Sequence, residues 1–132
     1  MEWYKDGMYP EWFISGKKFS PKNLKTKYPK LLLTACHEKE EINKVGRYKG
    51  KKRGYGSCVV IVPEKIIYKL DWLLNFILKE QKEIRKLGVD DETIWITWYG
   101  VQGNMELNPR QLEKLTKTRN PLNMNYYYIE NK

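Results

Sequence analysis

The chain has 132 residues and a mass of 15.9 kDa, with 41% hydrophobic and 31% charged residues. That length suits one domain with its own hydrophobic core, and the composition excludes wholesale disorder. Lys and Arg number 25 against 16 Asp and Glu, a formal charge of +9, which suits an acidic partner: nucleic acid, an anionic surface or an acidic protein. Two cysteines and one histidine exclude a metal-cluster protein, and no cofactor is expected.

The first residues, Met1 to Gly7, are polar and lack an apolar stretch of signal-peptide length. The longest apolar runs, Leu31–Leu33 and Val59–Val62, are too short to span a bilayer, so the expected location is the cytoplasm with no membrane partner. In that compartment Cys36 and Cys58 are expected as reduced, mostly buried thiols.

Tyr9–Ser15 reads as a strand, since Trp12, Phe13 and Ile14 are strong strand formers and Gly16 ends the run. Ser20-Pro21 opens a short helix that must stop before Pro29. Leu31–Ala35 predicts a second strand, and Glu38–Asn43 is too polar to assign. Gly56–Val62 is the clearest strand. Its unbroken apolar run, Val59 to Val62, predicts a central strand covered on both faces. The longest helix is predicted over Glu64–Leu87. Ile67, Leu70, Leu74, Ile77 and Ile84 form its apolar stripe, Gln81 is a polar break, and Gly88 follows the end. Asp90, Asp91 and Glu92 read as a solvated acidic turn. Thr93–Tyr99 reads as a strand with Ile94, Ile96 and Trp98 on one face and Trp95, Thr97 and Tyr99 on the other. Asn108-Pro109 opens a helix to about Thr118, and a Tyr-rich strand is predicted over Asn123–Glu130.

Phe19-Ser20-Pro21-Lys22-Asn23-Leu24 matches Leu107-Asn108-Pro109-Arg110-Gln111-Leu112 in residue class at every position. The echo suggests two related strand–helix–strand halves; the alternative is that any two Pro-started helices look alike. The order β-α-β-β-α-β-α-β predicts an α+β fold. One long and two short helices would pack on one face of a mainly antiparallel sheet. The other face then needs a cover or a task.

Charge is uneven along the chain: the first 60 residues hold 14 Lys/Arg against 6 Asp/Glu. The sharpest cluster is Lys44, Arg47, Lys49, Lys51, Lys52 and Arg53, interleaved with Tyr48 and Tyr55. Gly46, Gly50, Gly54 and Gly56 keep it from being a helix, and mutual repulsion predicts an exposed, mobile loop feeding a strand. It serves either solubility or the docking of an anion.

Three of these features resemble a bacterial family, the domain of unknown function 4279. They are Ile14-Ser15-Gly16-Lys17-Lys18-Phe19-Ser20-Pro21, a Gly-rich loop and strand leading to a long Leu-rich helix (54–87), and strand, short helix and Tyr-rich strand (95–128). The resemblance covers nearly the whole chain. It implies the fold, and because the family has no established activity it implies no catalytic residue.

Chemistry-bearing groups are sparse. Cys36 and His37 are adjacent, so on a strand they point to opposite faces and make a poor nucleophile–base pair; a partly buried structural pair is expected. The carboxylates of Glu38, Glu40 and Glu41 sit in a polar segment, and no Walker or dinucleotide motif is present. Arg53-Gly54-Tyr55-Gly56 matches the start of the RNA-recognition signature, but Ser57 and Val60 stand where it needs stacking aromatics. The expected function is therefore non-enzymatic: a protein-binding module, most concretely an immunity protein that neutralises a toxin with an acidic surface. Arg47, Lys49, Lys51, Lys52 and Arg53 would be its cations and Tyr48 and Tyr55 its contact aromatics. The alternative is single-stranded RNA binding through the same loop. Monomer and homodimer both stay open.

Overall fold

The computed structural model describes residues 7–100 and 105–128. The element order is β1 (Met8–Gly16), α1 (Pro21–Lys27), β2 (Leu32–His37), β3 (Gly56–Ile61), α2 (Lys69–Arg85), β4 (Asp91–Gly100), α3 (Pro109–Thr118) and β5 (Leu122–Tyr128). The polar leader at residues 1–6 and the predicted strand end at Ile129 and Glu130 lie outside the described residues.

The fold is α+β. The five strands form one mixed sheet in the order β2-β3-β1-β4-β5. β1 runs antiparallel to β3 and β4, β2 runs antiparallel to β3, and only β4–β5 is parallel. Strands β2-β3-β1-β4 with their two helical crossovers have the split βαβ, ferredoxin-like order. The α3–β5 unit adds one further strand to the β4 edge. The two strand–helix–strand units are thus unlike: β3 separates β1 from β2, whereas β4 and β5 are direct neighbours. Their helices also differ in packing, with Leu24 fully buried and its counterpart Leu112 exposed.

Alternation along the strands sorts side chains between two faces. Trp12, Ile14, Cys58, Val60, Ile94, Ile96 and Trp98 meet Leu70, Leu73, Leu74, Ile77 and Ile84 of α2 in one core, joined by Phe19 and Leu24. Phe13, Val59 and Trp95 point to the opposite face and take no part in that core. This corrects the reading of β3 as covered on both sides: Val59 is buried, but no helix lies over it. A residue flanked by large same-face neighbours on adjacent strands loses its water without a second layer.

Helix α2 begins five residues later than its periodicity predicts. Pro63 starts a separate turn, closed by Ile66 N–H donating to Pro63 O. Ile67, expected on the apolar stripe, is 76% exposed. Helix α3 has the predicted bounds: Asn108 and Gln111 form a reciprocal capping box at its start, and Arg119 at φ +57 closes its end. In α1 the Ser20 hydroxyl caps nothing directly. It donates to Glu38 Oε1 at 2.6 Å, and Glu38 Oε2 accepts from Lys22 N–H at 3.3 Å, so a carboxylate from beyond β2 serves the helix start. Tyr28 locks the other end by donating to Glu80 of α2 at 2.7 Å. Burial first, and then Glu80, pushes its hydroxyl pKa up to about 12. The acidic segment is no solvated turn either. Asp91 and Glu92 belong to β4, and Glu92 pairs with Arg85 and accepts from Asn120, which in turn accepts from Trp12 Nε1 at 2.8 Å.

Three glycines let backbones touch at one end of the sheet. A Cβ on Gly16 would lie 1.9 Å from Gly88 O, and one on Gly56 would lie 2.0 Å from Phe19 O. Gly88 holds φ +105 with Lys18 O beneath it. Gly56→Ala should therefore cost about 3 kcal/mol of unfolding free energy, as backbone displacements of this kind do. Gly50→Ala, with φ +85 but open space around it, should cost about 1 kcal/mol. Urea unfolding of both variants checks the ordering.

Candidate functional site

The cationic segment is a hydrogen-bonded hairpin rather than an open loop. Ile42 and Lys52 form an antiparallel bridge, Asn43 N–H donates to Lys51 O at 2.9 Å, and Gly50 N–H donates to Asn43 O at 2.8 Å. Arg53 N–H donates to Glu41 O and Gly54 N–H to Lys39 O, which clamps its base. Gly46, Gly50 and Gly54 make the turns with φ of +86, +85 and +81. Lys44, Arg47, Lys49, Lys51 and Lys52 are all exposed and make no ion pair among the described residues. Arg47 lies against the Tyr48 ring. The hairpin thus collects every predicted contact residue, five at its exposed part and two, Arg53 and Tyr55, at its base.

Arg53 and Tyr55 also belong to a second feature, which joins them to residues distant in the sequence. The Arg53 guanidinium stands 4.5 Å over the Tyr55 ring, and its Nη2 donates to Ser57 Oγ at 2.8 Å. Both side chains line a groove of about 360 Å³ on the helix-free sheet face. Phe13 and Trp95 lie in the same groove with ring centroids 5.3 Å apart. Asp91, from the start of β4, lines it too. Farther along this face Tyr99 stacks on Tyr127 at 5.4 Å and meets Tyr9 edge-on at 5.6 Å. Phe13 is 38% exposed and Tyr55 42%. The signal was present in the alternation of β4, which puts Trp95, Thr97 and Tyr99 opposite the core.

The cysteines depart from expectation: Cys58 is buried but Cys36 is exposed. The cause is a bulge. Thr34 pairs with Val59 and His37 with Ser57, so Ala35 and Cys36 together oppose Cys58, with Ala35 at φ +50. Cys36 and His37 face different partners. The thiol donates to its own strand at Thr34 O, and His37 Nδ1 contacts Glu41 Oε1 at 3.2 Å. No group of three or more metal-ligating side chains occurs among the described residues.

Burial pushes the Cys58 thiol up to about 12 and raises Cys36 less strongly. Thiol-reactive dye should label Cys36 alone in the native protein and Cys58 only after denaturation, as peptide mapping will show. Glu11 sits on the open face between Ile61 and Trp95, and burial raises its carboxyl above the ordinary range. A raised carboxyl favours the fold when protonated, and that contribution is lost as pH climbs through its folded value. Glu11→Gln should raise the melting temperature at neutral pH, and the gain should vanish below the ordinary carboxylate range.

No family model, curated protein or solved structure matches the chain. No helix of the described residues is long and apolar enough to cross a membrane.

Proposed function

We propose that the chain is a non-enzymatic protein-binding module, most concretely a bacterial immunity protein that binds and neutralises a toxin in the cytoplasm. The folded cationic hairpin supports this reading above all. Five exposed Lys and Arg side chains are held on one hydrogen-bonded frame without carboxylate partners among the described residues. A loop kept only for solubility needs no such frame. Cations fixed in this way attract an acidic protein surface and accelerate encounter. Arg47, Lys49, Lys51 and Lys52 face solvent with Tyr48, while Arg53 and Tyr55 join the hairpin to the sheet. The resemblance to the domain of unknown function 4279 is part of the proposal and transfers no activity.

One observation favours a second reading, single-stranded RNA. Arg53-Gly54-Tyr55-Gly56 feeds β3 beside β1 in a split βαβ sheet, and Phe13 and Trp95 supply aromatic rings on the same face. Ser57 and Val60 stand where that signature needs its other stacking aromatics, which is why the protein reading leads.

The test is an affinity capture from bacterial lysate with and without nuclease, run beside a variant carrying Arg47→Gln, Lys49→Gln, Lys51→Gln and Lys52→Gln. A single nuclease-resistant partner, stoichiometric and weakened at least about tenfold by the variant, is the expected result. Loss of all captured material on nuclease treatment, with affinity falling steeply in salt, would overturn it in favour of RNA.

A further inference from the structure

The hairpin accounts for attraction but offers little apolar contact. Binding energy in protein interfaces concentrates in a few aromatic and Arg anchors set in a pocket, while rim charges act mainly on encounter rates. The groove beside the hairpin has the composition of such a pocket. Phe13 and Trp95 form an apolar wall, and Tyr55 under the Arg53 guanidinium forms another. Arg53 has a buried Nε without a hydrogen-bond partner and makes no ion pair among the described residues. Asp91 supplies an acceptor on the remaining side.

We propose that this groove is the anchor of the docking surface, and that it receives a tyrosine-like side chain flanked by carboxylates on an acidic protein partner. The inference rests on the protein-binding reading above. The partner ring packs on Phe13 and Trp95, where offset or edge contacts between rings are favourable. Its hydroxyl donates to Asp91, and the flanking carboxylates meet Arg53 and the hairpin cations. A bare carboxylate leaves the aromatic wall unused.

The probes are a random glutamate–tyrosine copolymer, polyglutamate of the same length and oligouridylate, each fluorescently labelled and titrated at low salt. The copolymer should bind at least about tenfold tighter than polyglutamate, the worth of one buried ring contact. Trp95→Ala should erase that difference, Trp95→Phe should keep most of it, and the four-fold hairpin variant should weaken both polymers alike. Thermal melts establish that each variant is folded, and Phe13→Ala replaces Trp95→Ala where the latter is not. Equal binding of the two polypeptides would overturn the anchor while leaving the hairpin reading standing. Binding of neither would overturn both. Oligouridylate binding more tightly than the copolymer, with the same dependence on Trp95, would overturn the anchor's proposed ligand and assign the groove to single-stranded nucleic acid.

Discussion

The architecture depends on a place where main chains meet without side chains between them. The turn after β1 passes under Gly88 at the end of α2 and over Gly56 at the start of β3. Lys18 and Phe19 contribute only backbone to these contacts, and Phe19 sends its ring into the core. The contact fixes the end of β1, the entry to β3 and the step from α2 into β4 relative to one another. Asp90 N–H donating to Ser15 O at 2.9 Å reinforces it. The candidate site stands at this same end: Arg53 and Tyr55 come immediately before Gly56, and Asp91 comes shortly after Gly88. Chain segments that are 40 or so residues apart in sequence share one groove because glycine removes the side chains that would hold them apart.

From that junction the sheet divides the molecule unequally. One face is sealed by α2 with help from α1 and α3. The other keeps its aromatic residues at the surface: Phe13, Trp95, Tyr99 and Tyr127. Such a face is costly to leave in water, and an exposed apolar patch rimmed by charge is a recurrent property of binding surfaces. Here the rim is the hairpin. Its cations repel one another, and its frame of backbone hydrogen bonds and left-handed glycines holds them in one place nonetheless. Arg53 belongs to both parts, stacked on Tyr55 and bonded to Ser57 of β3, and so links the charged and apolar parts of the surface.

Much of this was legible in the residues. The α+β class, the order of elements and the split of β4 into an Ile94/Ile96/Trp98 face and a Trp95/Thr97/Tyr99 face follow from periodicity and turn chemistry. The start of α3 follows from Asn108, Pro109 and Gln111, whose capping is a local matter. Periodicity places the start of α2 too early because Ile67 continues a helical stripe, whereas the turn at Pro63 holds the helix back to Lys69. Val59 suggested a second covering layer because an apolar run does not say whether its cover is a helix or neighbouring strands. Composition predicts mostly buried cysteines, and Cys36 is exposed because a bulge in β2 is invisible in composition.

By itself the sequence determined what is set within a few residues: helix starts at Ser20-Pro21 and Asn108-Pro109, strand alternation, glycine-bearing turns and a cationic stretch with interleaved tyrosines. These depend on local sterics and on charges close along the chain. The tertiary structure alone decided the strand order, and with it which residues share a face. It set Phe13 beside Trp95, brought Asp91 to Arg53, and carried Glu38 to the start of α1. Those contacts join residues far apart in sequence, and they arise only when burial of the common core and glycine-enabled backbone contact select one topology among those the local signals allow.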